Sequence, residues 1–283
     1  MRVRRILSSA SIAVAVLGAG VALAPVGHAD AAPHYYVALG DSLSRGYMPG
    51  PGDTDQGYVD DLYATLHAKD PSLQLVKLGC SGETTASMIN GGKCTDRYPV
   101  GTSQLAVAEQ FLAANKSSVS YLTLDIGAND VASCASGGSI DPVCVTQGIA
   151  TITLNLKTIL DRLTAADGKL PKSAGMNYYD PFLQSWLTGV QGQVVAIASV
   201  GLLEAVNTVE ATLYSLSNFK IADVATKFRS TEFLTMRATP GYGLLPTNVS
   251  YICQYTYMCS LQNIHANVAG YQLIADEFVK RLA

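Results

Sequence analysis

Ser42 is the residue of this chain best placed for chemistry, because the apolar run from His34 to Leu39 stops there, at Gly40-Asp41-Ser42. Tyr35, Tyr36 and Val37 favour extended backbone and the Gly-Asp pair breaks the pattern, which predicts a short buried strand followed by a turn. Glycine tolerates tight backbone, so the serine hydroxyl stands exposed above the sheet edge, where a nucleophile has to be. Gly-Asp-Ser alone also occurs in ordinary surface turns. A serine nucleophile further needs a base to take its proton and donors around the oxygen that becomes negative. Of four histidines, His28 falls in the N-terminal leader, His34 opens the strand and His67 sits on a predicted helix. His265 stands in a loop just before the last predicted helix, in Ile264-His265-Ala266-Asn267.

The elements that must position these residues alternate. Residues 57–69 read as a helix with Tyr58, Leu62, Thr65 and Leu66 on one face, and Leu73 to Leu78 as a second strand ending in the glycine-broken turn Gly79 to Thr84. A helix over 103–114 leads to a third strand, Val119 to Ile126, which runs into Gly127-Ala128-Asn129-Asp130. A helix over 145–165 leads to a fourth strand, Ala174 to Tyr179. Residues 182–230 read as two or three helical segments, a lid or substrate wall or else packing against the sheet. A short strand near 231–235, a polar loop over 238–263 and a helix over 267–282 complete the chain. Connections too long for hairpins predict an α/β fold, a three-layer α/β/α sandwich around a central, mostly parallel five-stranded sheet. The glycine-rich turns at 40, 79–82 and 127 then share the carboxyl edge of that sheet, where such folds keep their sites.

Residues 1–31 read as a secretory signal peptide and 32–283 as one domain. Arg2, Arg4 and Arg5 form a basic n-region, Ser11 to Ala24 is apolar, and Ala29-Asp30-Ala31 offers small residues for cleavage near Ala29 to Ala31. The apolar stretch is shorter than the about 20 residues that span a bilayer, and no later segment is expected to reach that length. Val194 to Leu216 comes nearest, and its interruption by Glu204, Asn207 and Glu210 suits a helix packed on one face. Six cysteines in an exported chain argue for disulfides. Proximity pairs Cys80 with Cys94, Cys134 with Cys144, and Cys253 with Cys259. Removing three arginines and Asp30 from 19 basic and 22 acidic side chains leaves a net charge of −5, which makes nucleic acid an improbable partner.

Gly40-Asp41-Ser42-Leu43, Gly82, Gly127-Ala128-Asn129-Asp130 and His265 occur in the four-block order of the SGNH or GDSL hydrolases. The chain resembles that family, with its flavodoxin-like fold, over nearly the whole mature length. Its local style, including Gly175 to Phe182 and the three loop cysteine pairs, resembles secreted actinobacterial esterases and lipases. The resemblance implies Ser42 as nucleophile and His265 as general base, with an oxyanion hole from the Ser42 and Gly82 N–H groups and the Asn129 amide. Asp41 and Asp130 read as turn supports. Where the family usually carries an aspartate, three residues before the histidine, this chain has Gln262, followed by Asn263. Neither carries a charge. The expectation is a Ser-His dyad, with the Gln262 main-chain oxygen orienting His265 and the Asn263 side chain as second choice. The implied substrate is a small-molecule or lipid acyl ester, cleaved without metal or cofactor by a secreted, unanchored monomer. A carbohydrate O-deacetylase and a non-catalytic binding protein of the same fold are the alternatives.

Overall fold

The computed structural model describes residues 33–136 and 139–283; the leader segment 1–31 lies outside the described residues. Five strands, β1 (His34–Gly40), β2 (Leu73–Lys77), β3 (Val119–Asp125), β4 (Lys172–Met176) and β5 (Lys220–Ala222), form one sheet in the order β2-β1-β3-β4-β5. Every neighbouring pair is parallel. Val37 pairs with Val76 on one side and Leu122 on the other, and Gly175 pairs with Leu124 and Ile221. The chain fills one side of β1 with β2 and then crosses to the other side for β3. The carboxyl end of β1 therefore lies where the strand order reverses, and Ser42 follows it directly.

A parallel strand buried on both faces reads as a continuous apolar run, and its period of two divides that run between two cores. Tyr36 and Ala38 pack on one face with α1 (Tyr58–His67) and the C-terminal helix Val268–Leu282, where the Tyr58 and Phe278 rings stack with centroids 4.8 Å apart. Val37 and Leu39 pack on the other face with three helices, Gln104–Ala114, Pro142–Asp167 and Val190–Leu216. Each fully buried leucine or isoleucine of these layers contributes about 1.5–3 kcal/mol. In chain order the remaining long helices are α2 (Thr85–Asn90), α3 (Gln104–Ala114), α4 (Pro142–Asp167), α5 (Val190–Leu216), α6 (Thr247–Tyr255) and α7 (Val268–Leu282).

Four expectations are corrected. The fifth strand is Lys220–Ala222 rather than 231–235, because the turn that ends α5 returns the chain to the sheet beside β4. Residues 238–263 are not one loop: a small antiparallel hairpin (Met236–Thr239 with Gly243–Pro246) leads into α6 and a single turn at Met258–Leu261, closed by the Cys253–Cys259 bond. The stretch 182–230 does hold three helical segments, a 3-10 segment at Pro181–Thr188, the 27-residue α5 and a single turn at Val224–Lys227, so it is not among the four. Both α4 and α5 are long and apolar enough to cross a membrane by length and composition, although here they pack on the sheet through Ile152, Leu156, Ile159, Val206 and Tyr214. The polar interruptions of α5 also divide differently than one-faced packing implies. Glu204 is exposed, whereas Asn207 and Glu210 are buried beneath the sheet edge.

The cysteines are bonded as proximity suggested: Cys80–Cys94, Cys134–Cys144 and Cys253–Cys259. Each closes a loop at or near the edge that carries Ser42.

Candidate active site

Ser42 sits on the turn after β1, 8% exposed, with its Oγ 2.7 Å from His265 Nε2. The imidazole arrives from the other end of the chain, on the loop before α7. Four contacts hold that loop. Tyr179 beyond β4 donates its hydroxyl to Ile264 O at 2.7 Å, the Tyr257 N–H donates to His265 O at 2.9 Å, Thr256 bridges Ala266, and the Tyr47 ring lies against the imidazole with centroids 4.4 Å apart.

The far nitrogen of His265 decides the tautomer. Asn263 Oδ1 accepts the His265 main-chain N–H at 3.1 Å, in an Asx turn, and lies 2.7 Å from His265 Nδ1. A main-chain N–H can only donate, so this atom of the amide is oxygen. Nδ1 must then carry the proton, and Nε2 is left as the acceptor for the serine hydroxyl. The contact on Nδ1 is thus made by the Asn263 side chain, the second choice above. Gln262 ends the preceding helical turn in left-handed conformation (φ 51°, ψ 39°), its N–H on Met258 O, and this reversal points the chain so that the next side chain folds back on the imidazole. Burial pushes His265 down to about 4, against the opposing charge of Asp53, so the ring is neutral at ordinary pH.

Asn129 lines the same cleft, and its Nδ2 donates one proton to Glu83 O at 2.8 Å. That bond ties the Gly127–Asp130 turn to the Gly82–Glu83 turn and orients the second N–H of the amide. Asp130 reinforces the junction by accepting the Thr85 N–H and hydroxyl at the start of α2, at 2.9 and 2.6 Å. Gly82 is required for its backbone (φ 80°); among protein atoms a Cβ there would meet only Lys93 Nζ, at 3.8 Å. Gly127 is required for both reasons, since at φ 128° a Cβ would lie 2.4 Å from Glu210 Oε1.

Sequence reasoning missed a set of buried groups under these turns. Gln104, fully buried at the start of α3, accepts the Gly40 N–H at 2.7 Å and donates to Gly40 O and Glu83 Oε2, each at 2.9 Å. Asn207 on α5 does the same to Tyr178, accepting its N–H and donating to its carbonyl, both at 2.9 Å. Each side-chain amide stands in for a strand partner where β1 and β4 run out. The only signal was a polar residue at an apolar position of a helix. Gln104→Leu leaves the Gly40 N–H and a Glu83 oxygen unpaired, and urea denaturation is expected to register a loss of about 2–4 kcal/mol.

Carboxyl groups complete the floor. Asp125 accepts the N–H groups of Asp41 and Ser44, both at 3.2 Å, and Asp41 accepts the Leu43 N–H and the Tyr178 hydroxyl at 2.9 and 3.1 Å. Asp41 and Asp130 thus act as turn supports. Burial pushes Asp41 up to about 6, and burial together with the Asp41 charge holds Asp125 well above the usual carboxylate range. Burial and the charges of Asp41 and Asp130 push Glu210, whose oxygens have no hydrogen-bond partner among the described residues, well above the usual carboxylate range.

The cleft over Ser42 is walled by Leu43, Val131, Phe182, Leu203 and Val206. The loop 90–102 does not contribute to its lining; the 128–132 segment does. An imidazole held neutral beside a serine oxygen, with amide N–H donors on the adjoining turns, can move the proton that acyl transfer requires.

Solved structures share this architecture. A lipase from a goat rumen metagenome, Lip_vut3, matches with a TM-score of 0.57 and 16% identity over 88% of this chain and 97% of its own. The acetylxylan esterase Axe2 from Geobacillus stearothermophilus matches with a TM-score of 0.53 and 15% identity over 89% of this chain and 95% of its own. Identity this low speaks for the fold alone. No curated protein sequence matches. The family model of the GDSL-like lipases and acylhydrolases matches residues 38–273, most of the chain, with the Ser42 turn, the Asn129 turn and His265 inside the matched span. This chain belongs to the GDSL-like lipase/acylhydrolase family and is a carboxylic ester hydrolase.

Proposed function

We propose that the protein is a secreted serine esterase or lipase that works through a Ser42–His265 dyad. The observation that carries this is the hydrogen-bonded series from Asn263 Oδ1 through both imidazole nitrogens to Ser42 Oγ, with each link at 2.7 Å. His265 Nε2 takes the hydroxyl proton as Ser42 Oγ bonds to the ester carbonyl carbon. The carbonyl oxygen becomes an oxyanion, met by the Ser42 and Gly82 N–H groups and by the second N–H of Asn129. Collapse breaks the bond to the alcohol oxygen, which leaves with the proton from His265. Water then repeats the cycle on the acyl-serine and releases the acid.

Secretion is supported by the basic and apolar leader and by three disulfides, which persist in oxidising compartments. Residues 1–31 are then a leader removed from one hydrolase domain. The carbohydrate O-deacetylase reading draws on the fold shared with an acetylxylan esterase, and the carbon-lined cleft weighs against it.

The test is covalent labelling by a fluorophosphonate, lost in Ser42→Ala; folded protein that takes no label would sink the reading. Asn129→Ala removes one oxyanion donor and is expected to lower kcat by about 10²–10³ while leaving KM within a few fold. A change in KM alone would assign Asn129 to ground-state binding instead.

A further inference from the structure

Three cations, Arg45, Lys93 and Arg97, gather around the turns that carry Ser42 and Gly82, and none of them lines the apolar cleft. Arg45 has a side chain only 12% exposed; its Nε donates to Asp53 Oδ2 at 3.1 Å, and neither of its Nη groups has an acceptor among the described residues. Arg97 reaches the same Asp53 oxygen at 3.4 Å, and Ser81, beside Gly82, donates its hydroxyl to the other. Lys93 Nζ stands 3.8 Å from where a Cβ on Gly82 would lie, and among the described residues it has no hydrogen bond or ion pair. The loop that supplies Lys93 and Arg97 is pinned in place. Cys94 is bonded to Cys80, and the buried Tyr98 donates its hydroxyl to Leu78 O at 2.5 Å. Among the described residues, Asp53 is the one carboxylate that pairs with these cations. The nearby Glu83 is buried, its oxygens are held by Ser87 and Gln104, and burial pushes it up.

We propose that Arg45, Lys93 and Arg97 form a site for a negatively charged group, phosphate or carboxylate, on the alcohol part of the ester, so that the enzyme favours anionic esters over neutral ones. This rests on the serine esterase reading above and adds the alcohol side of the substrate. His265 returns its proton to the alcohol oxygen, so the alcohol part departs past the imidazole. The Asp53 charge acts on that ring, which puts Asp53 and the two arginines it holds on the departing side. Guanidinium N–H groups that Asp53 leaves unused match the paired oxygens of a phosphate or carboxylate. Three positive charges against one carboxylate attract such a group, in a chain whose formal net charge is −3.

The experiment compares kcat/KM within two matched pairs of butyrate esters, those of glycerol and glycerol 3-phosphate and those of 3-hydroxybenzamide and 3-hydroxybenzoate. The proteins are wild type, Lys93→Gln, Arg97→Gln, the double variant and Arg97→Lys, with active sites counted by fluorophosphonate. Wild type is expected to prefer the anionic member about tenfold, mainly through KM, and to lose the preference in about 0.5 M NaCl. The pair with the larger preference tells phosphate from carboxylate. Each glutamine variant is expected to lower the preference about threefold and the double variant to remove most of it, with the neutral esters still hydrolysed at the wild-type rate. Arg97→Lys, which keeps the charge, is expected to keep most of the preference. Equal kcat/KM within both pairs in wild type, or a preference unchanged in the double variant, overturns the anion site and leaves the esterase reading standing. Wild-type protein that neither labels nor hydrolyses any of the four esters sinks the esterase reading itself.

Discussion

Ser42→Ala is expected to lower kcat on a butyryl ester by about 10⁵–10⁶-fold while leaving the urea midpoint nearly unchanged. The hydroxyl is small and its one tight partner, His265, still reaches solvent through the cleft, so its loss costs the fold little. The rate loss is large because no other nucleophile faces the carbonyl from the turn after β1. His265→Ala is expected to cost about as much, since a serine hydroxyl with no base at 2.7 Å keeps its proton. The double variant should then be no slower than either single one, because two groups that act in a single proton transfer are not additive. Steady-state rates on active-site-titrated protein would decide this. Losses that multiplied in the double variant would mean that serine and histidine act separately.

Replacing Asn263 changes the reaction in two opposite ways. Asn263→Ala removes the side chain that meets Nδ1 and the Asx turn that shapes the loop, and kcat/KM is expected to fall by about 10²–10⁴-fold. Asn263→Asp keeps the geometry and adds a negative charge 2.7 Å from the ring. The sign follows from which form is active. The base must be neutral, so activity is lost as pH falls through the His265 value of about 4. A carboxylate favours the imidazolium, so the acid limb of kcat/KM moves to higher pH in the aspartate variant. Gln262→Gly, which keeps the left-handed backbone, is expected to leave both rate and limb within a few fold of wild type. An acid limb unmoved by Asn263→Asp, together with a full-rate Asn263→Ala, would return the orienting role to a main-chain oxygen.

Legibility in the sequence followed the range of the forces involved. Alternating apolar runs and long connections identified the parallel sheet, because period and length are local properties. The blocks at 40–43, 82, 127–130 and 265 stood out through their resemblance, in type and order, to those of the SGNH hydrolases, since each alone reads as an ordinary turn or loop. The fifth strand and the helices of 238–263 were misplaced where short segments depend on what they dock against. The buried Gln104, Asn207 and Glu210 were unreadable for a related reason. The groups that Gln104 and Asn207 bond, at Gly40 and Tyr178, and the Gly127 turn that Glu210 packs against lie far off in the chain, and a lone polar residue in an apolar helix looks like a surface position.

By itself, then, the sequence determined the sheet, the turn that presents Ser42, the candidate histidine and the missing aspartate. Tertiary structure alone decided how the imidazole is held. The sequence left both the Gln262 main-chain oxygen and the Asn263 side chain open, and the contact the fold makes on Nδ1 is that of Asn263, just after the left-handed turn at 262. That turn aims the Asn263 side chain at a ring brought to Ser42 across 223 residues.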